Sequence, residues 1–325
     1  MVKKTRNLPQ GETRKLGRKR WIMLSAVLIP IIVLGLVFSN SLLQPQAKFP
    51  LTAVIIDQLA ADFPDPSFVS NVNSTLQNHG FNVSYYNETL DVNFFKNLAT
   101  SNYGLIILRD HSALRNDSST VDLFTSERYV PGVHDQDLGN GLLALGEFYY
   151  KPSEQYLVLS SLFVENLPGR FPNSIVIAMG CQSLKPGCQQ MAQAFLDKGA
   201  KAYIGWSDIV FPPDTDTETM RLIRMLLDEN MTIGDAVRGT HTYTYSGTPS
   251  PYSNEIINVK SEMRFYPQSQ DPLTVSELTA ETKGASNASM FASLDGFFVC
   301  LVADPTNSAR LRRTLRIVSI RQTRI

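Results

Sequence analysis

The sequence predicts an α/β protein: a mostly parallel sheet with helices on both faces, preceded by one N-terminal transmembrane helix. Three observations predict it. Strand-like and helix-like segments alternate between residues 52 and 240. Strands such as Tyr103–Leu108 (YGLIIL) are apolar throughout, as strands covered on both faces are. An eighteen-residue run without a charge, Trp21–Phe38, follows a strongly basic N-terminus.

The first element is that run. At 1.5 Å per residue it spans about 27 Å, close to the hydrocarbon thickness of a bilayer. Residues 1–20 carry eight Lys/Arg against Glu12 alone, which keeps this end cytoplasmic by the positive-inside rule. Residues 1–20 therefore read as a basic cytoplasmic segment, 21–43 as a transmembrane signal anchor and 44–51 as a linker. A cleaved signal peptide is the alternative; the long basic region and the lack of an A-x-A site argue for retention. The expected location is the cell membrane, single-pass, with the main domain extracytoplasmic. Six N-x-S/T sequons, at Asn73, Asn82, Asn87, Asn116, Asn230 and Asn287, are candidate glycosylation sites there.

Along the body, Thr52–Ile56 reads as a strand and Ser67–Asn78 as a helix with Phe68, Val72 and Leu76 buried. His79-Gly80 ends that helix. Phe81–Tyr86 alternates like a strand, Leu90–Ala99 is helical, and Tyr103–Leu108 is a buried strand. Periodicity weakens from about 112 to 173, where β-like stretches at 121–126, 142–150 and 156–164 suggest a hairpin-rich insertion or lid. The clearest block is 174–240: strand Ser174–Met179, helix Gln189–Asp197, strand Ala202–Gly205, helix Thr217–Asp228 and short helix Thr232–Arg238. Residues 241–304 form a C-terminal extension with added strands, including Gly296–Ala303. Residues 305–325 are an Arg-rich tail, with six Arg and no acid.

Charge and cysteine usage exclude other functions. The total of zero hides a body, residues 21–304, with 16 bases against 29 acids, so nucleic acid is not an expected partner. Three cysteines exclude a four-Cys zinc site and a disulfide-scaffolded miniprotein. No metal and no cofactor are expected. The acids Asp214, Asp216 and Glu218 are accounted for by capping and the helix dipole. His79, His134 and His241 read as structural, with His134 the second choice for a base, and Cys300 as a core residue.

In open parallel sheets, functional groups gather beyond the carboxyl ends of strands. Two such ends carry reactive side chains here, Leu105–His111 (LIILRDH) and Ile175–Cys181 (IVIAMGC). A thiol needs a base to become a nucleophile, and neighbouring strand ends can bring His111 to Cys181. Backbone N–H groups after Cys181 could hold an oxyanion, which places Gly180 and Gln182 at the site. Asp208 could line a pocket for a basic side chain. Cys188 lies seven residues from Cys181, so a Cys181–Cys188 disulfide remains an alternative.

These segments resemble the caspase-like cysteine peptidase clan, which includes legumain, gingipains, separases and the CHAT branch. The resemblance covers about residues 50–240. Asp110-His111 resembles the legumain-type Asp-His-Gly, and Met179–Ser183 (MGCQS) resembles the separase surroundings of the nucleophile. TIGDAVR at 232–238 is similar to a short helix near the end of CHAT domains. Ser112 and Ser183 stand where the clan often has Gly. The resemblance implies a caspase-like α/β domain over 52–240 and a cysteine-type endopeptidase: Cys181 as nucleophile, His111 as acid–base, and a peptide or protein as substrate. The competing expectation is a catalytically inactive ectodomain used for binding or scaffolding, with Cys181 in a disulfide.

Overall fold

Four of the helices between the strands start at a capping side chain visible in the sequence: Asp65, Asp91, Ser160 and Thr232. The computed structural model describes residues 48–115, 120–148, 150–151, 153–247, 257–284, 291–294 and 297–300. Strand β1 (Thr52–Asp57) leads into helix α1 (Pro66–Asn78). The Asp65 carboxylate accepts from the Phe68 N–H at 2.9 Å and Pro66 opens the first turn, a strong start signal. Phe68, Val72 and Leu76 are buried as their spacing predicts. Gly80, at φ +81, reverses the chain.

Strand β2 (Asn82–Tyr86), helix α2 (Val92–Lys96) and strand β3 (Leu105–Arg109) follow. Asp91 caps α2 through the Phe94 N–H. Next come strands β4 (Ser112–Leu114) and β5 (Val121–Arg128), helix α3 (Asp135–Gly139), strands β6 (Leu143–Glu147) and β7 (Gln155–Leu159), and helix α4 (Ser161–Glu165). The strongest sequence block becomes β8 (Ile175–Ala178), α5 (Gln190–Asp197), β9 (Ala202–Trp206), α6 (Pro212–Leu227) and α7 (Ile233–Arg238). The remaining described elements are β10 (Tyr243–Gly247), β11 (Ile257–Ser261), β12 (Met263–Tyr266), α8 (Val275–Gly284), β13 (Phe291–Leu294) and β14 (Phe297–Cys300).

The central sheet has six strands in the order β12-β9-β8-β3-β1-β2. Five run parallel, and β12 joins β9 antiparallel at the edge, Phe265 facing Ile204. Two buried layers cover it. One packs α1, α6, α7 and α8 on alternate strand residues such as Ile55, Ile107, Ile177 and Ile204. The other packs α2, α4 and α5 on Ile56, Ile106, Val176 and Tyr203.

The expected architecture needs correction in two respects. The sheets are mixed rather than mostly parallel. Residues 112–159 form a separate four-stranded antiparallel sheet, β4-β5-β7-β6, and β10-β11 and β13-β14 are antiparallel hairpins. Short connections joining neighbouring strands force antiparallel pairing, since a parallel pair needs a crossover. The second correction concerns the transmembrane helix of the expected fold. Among the described residues no helix is long and apolar enough to cross a membrane, and the expected span 21–43 lies outside them. So do residues 1–20, residues 44–47 of the linker, the tail 305–325, and the sequons at Asn116 and Asn287. Strand β12, within the expected C-terminal extension, adds an edge to the central sheet.

Candidate active site

Strands β3 and β8 are hydrogen-bonded neighbours, with Leu108 opposite Ala178. Their carboxyl ends therefore deliver the next residues to one rim. His111 and Cys181, seventy positions apart, both line a cavity of about 910 Å³ at that rim. Gly180 lines it too, and must be glycine: a Cβ there would overlap the Ser112 hydroxyl and lie 2.8 Å from the Asp110 carbonyl oxygen. Ser112 lines the cavity as well, and its hydroxyl donates to the Cys181 carbonyl at 2.6 Å, tying the two strand ends together. Ser183 does similar work one strand on. It donates to the Ala178 carbonyl and accepts from the Trp206 N–H, both at 2.9 Å.

The Cys181 sulfur is reduced and half-buried. Its S–H donates to the Val210 carbonyl at 3.3 Å, and the Val210 N–H approaches it at 3.5 Å. Burial pushes the thiol up, and the Asp208 carboxylate adds to that, so the resting form is S–H rather than thiolate. The backbone after it is already engaged. The Gln182 N–H donates to the Asp208 carbonyl at 2.9 Å and the Ser183 N–H to the Gly180 carbonyl at 3.4 Å, so neither is open to an oxyanion.

His111 is anchored from three sides. Its N–H donates to Gln58 Oε1 at 3.0 Å and its carbonyl accepts from Phe124. The imidazole sits against Phe148 at 4.8 Å between ring centres, with Phe63 and Phe124 edge-on. Its Nε2 lies 3.0 Å from the Tyr150 hydroxyl, which donates to Asp62 Oδ2 at 3.0 Å. Burial opposes ionisation of Asp62, but hydrogen bonds from Lys151 and Tyr150 outweigh it and hold the carboxyl below its usual range. An ionised carboxylate only accepts, so the Tyr150 proton points to Asp62 and Nε2 must carry the imidazole proton. Nδ1 is left with the lone pair. Burial pushes the imidazole down to about 4, so it is neutral at pH 7.

Sulfur and imidazole thus share one cavity without a hydrogen bond between them. Catalytic contacts are often loose before substrate binds. Beside them lies Asp110, fully buried, its carboxyl pushed well above the usual range by desolvation and without a hydrogen-bond partner among the described residues.

The other expected residues lie elsewhere. Asp208 accepts from Lys185 at 2.9 Å and from Gln182 at 3.3 Å, and does not line the cavity. Cys188 is buried. His134 is 3.1 Å from Glu127, His79 2.8 Å from Asp228 and His241 2.9 Å from Glu218, all off the cavity wall. The acids of α6 are not merely dipole partners. Asp216 binds Arg109 through two bonds of 2.8 Å, and buried Glu218 accepts from His241 and Tyr243. Of the sequons, Asn82, Asn87 and Asn230 are exposed and Asn73 is half-buried. Among the described residues no cluster of His, Cys, Asp and Glu could hold a metal ion.

Tyr150, Asp62 and Arg109 were not assigned roles from the sequence. Arg109 had a signal, a charge inside a strand otherwise buried on both faces. Its guanidinium is fully buried, bonded to Asp57 at 2.6 Å, to Asp216 and to the Phe63 carbonyl. No protein-family model matches the sequence, and no curated protein matches it either.

Proposed function

We propose that this protein is a cysteine-type peptidase in which Cys181 attacks the scissile carbonyl and His111 moves the proton. The observation that carries the reading is the shared cavity, with a thiol and a neutral imidazole beyond the ends of two adjacent parallel strands. The resemblance to the caspase-like clan points the same way. Because the resting pair is S–H and neutral imidazole, the chemistry is general-base catalysis rather than a preformed ion pair. His111 Nδ1 takes the thiol proton as the sulfur bonds to the carbonyl carbon. It then delivers that proton to the departing amine as the C–N bond breaks. Water, deprotonated by the same nitrogen, attacks the thioester, and the thiol leaves reprotonated with a carboxylic acid as product.

A peptidyl acyloxymethyl ketone tests this. It should label the wild type and Cys300→Ala alike, but not Cys181→Ala; equal labelling of all three defeats the assignment. A second reading, a catalytically silent binding domain, is favoured by the missing hydrogen bond between sulfur and imidazole. Alkylation of the exported chain before and after reduction, read by mass spectrometry, separates the two. Cys181 protected until reduction, as half of a bridge with Cys188, would support the silent domain.

A further inference from the structure

We infer that the acyl-side pocket of this site takes an aromatic or large aliphatic side chain, so that cleavage follows residues such as Phe or Leu. The inference rests on the peptidase reading and adds the substrate class. The segment Ile209–Pro212 forms the wall nearest the sulfur, because Val210 brackets Sγ with its own backbone. Phe211, 49% exposed, stands at the rim with its ring edge-on to Tyr245 at 4.7 Å.

Tyr245, Thr215 and Gln182 in this part of the wall have their polar atoms committed elsewhere, and the exposed Thr244 and Ser246 bring only neutral hydroxyls. The Tyr245 hydroxyl donates to Asp214 at 2.7 Å and presents its ring to the cavity. Thr215 Oγ1 accepts from the Trp206 indole at 2.8 Å and donates to the Met179 carbonyl at 3.0 Å. Gln182 spends its Oε1 on the Leu114 N–H and its Nε2 on Asp208. Among the described residues no Lys or Arg lines the cavity, so an acidic side chain would find no cation there. The acid expected to serve a basic side chain, Asp208, is held by Lys185. Glu147, the one acid besides Asp110 among the described lining residues, adjoins Phe148 on the imidazole side, where the leaving amine is protonated. A charged side chain entering the wall beside the sulfur would be desolvated without a partner, whereas an apolar one gains burial.

The test uses the full chain and four acyloxymethyl ketone probes identical except for Phe, Leu, Arg or Asp at the residue bearing the reactive carbonyl. Iodoacetamide serves as the side-chain-independent control. Phe and Leu probes should label Cys181 about tenfold or more faster than Arg and Asp probes. Phe211→Arg should narrow or invert the Phe-to-Asp ratio, and Phe211→Ala should lower the Phe rate without changing alkylation by iodoacetamide. An Arg or Asp probe that matches or outruns Phe on the wild type overturns the inference and leaves the peptidase reading standing. Labelling by iodoacetamide with no reaction of any peptidyl probe overturns both.

Discussion

Nε2 of His111 donates to the Tyr150 hydroxyl, 3.0 Å away, across 39 positions of sequence, and Asp62 takes the hydroxyl's own proton. The pair sets which imidazole nitrogen is basic. Tyr150→Phe keeps the ring against Phe148 and removes the hydroxyl, with its bond to Asp62, that makes the selection. The expected outcome is a fall in kcat of about tenfold to a hundredfold at little change in KM, with a displaced acid limb in the pH–rate profile. A change confined to KM would show that Tyr150 only shapes the cavity.

The buried imidazole also links stability to pH. Folded His111 titrates at about 4, below its ordinary value of about 6.5, so in that window the unfolded chain binds the extra proton. Stability contributed above pH 6.5 is lost as pH falls toward 4, up to roughly 3 kcal/mol. Urea midpoints at pH 7 and pH 4.5 should differ less for His111→Phe than for the wild type. Equal pH slopes would mean that the imidazole is already solvated.

A thiol raised by burial reacts slowly at neutral pH. The rate of Cys181 alkylation by iodoacetamide, followed by mass spectrometry, should climb through pH 8 and inflect above the ordinary thiol value. A plateau below pH 7 would reveal a preformed thiolate and exclude the general-base route.

Arg109 sits between Asp57 and Asp216 with all three side chains buried. Removing one carboxylate leaves a desolvated guanidinium undercompensated. Asp216→Ala should therefore cost about 3–5 kcal/mol in urea unfolding. The loss should change little between low and high salt, because buried pairs are weakly screened. A loss below 1 kcal/mol would mean that water reaches the cluster.

The legible parts of this molecule are those written in local spacing. Phe68, Val72 and Leu76 recur at one helical face, and LIIL and IVIA are apolar because both faces of their strands are covered. The stretch from 112 to 173 was legible only in kind. Strands such as Leu143–Glu147 alternate half-buried and exposed residues after one buried leucine, too short a run to set a period. Strand order and register were not legible, since they depend on which faces meet in three dimensions. At the site, His111 and Cys181 were marked by their places after buried strands. Tyr150 and Asp62 were not, because the His111–Tyr150 and Tyr150–Asp62 links span 39 and 88 residues with no motif between.

The hydroxyl that joins Ser112 to the carbonyl of Cys181 fills the space a methyl group at position 180 would need. Backbone closes on the same space from two further sides. Gly180→Ala overfills the strand junction whatever side chain stands at 112, because the Ser112 nitrogen and the Asp110 carbonyl oxygen would lie 2.7 and 2.8 Å from the added Cβ. No exchange at position 112 alone releases the glycine from its place.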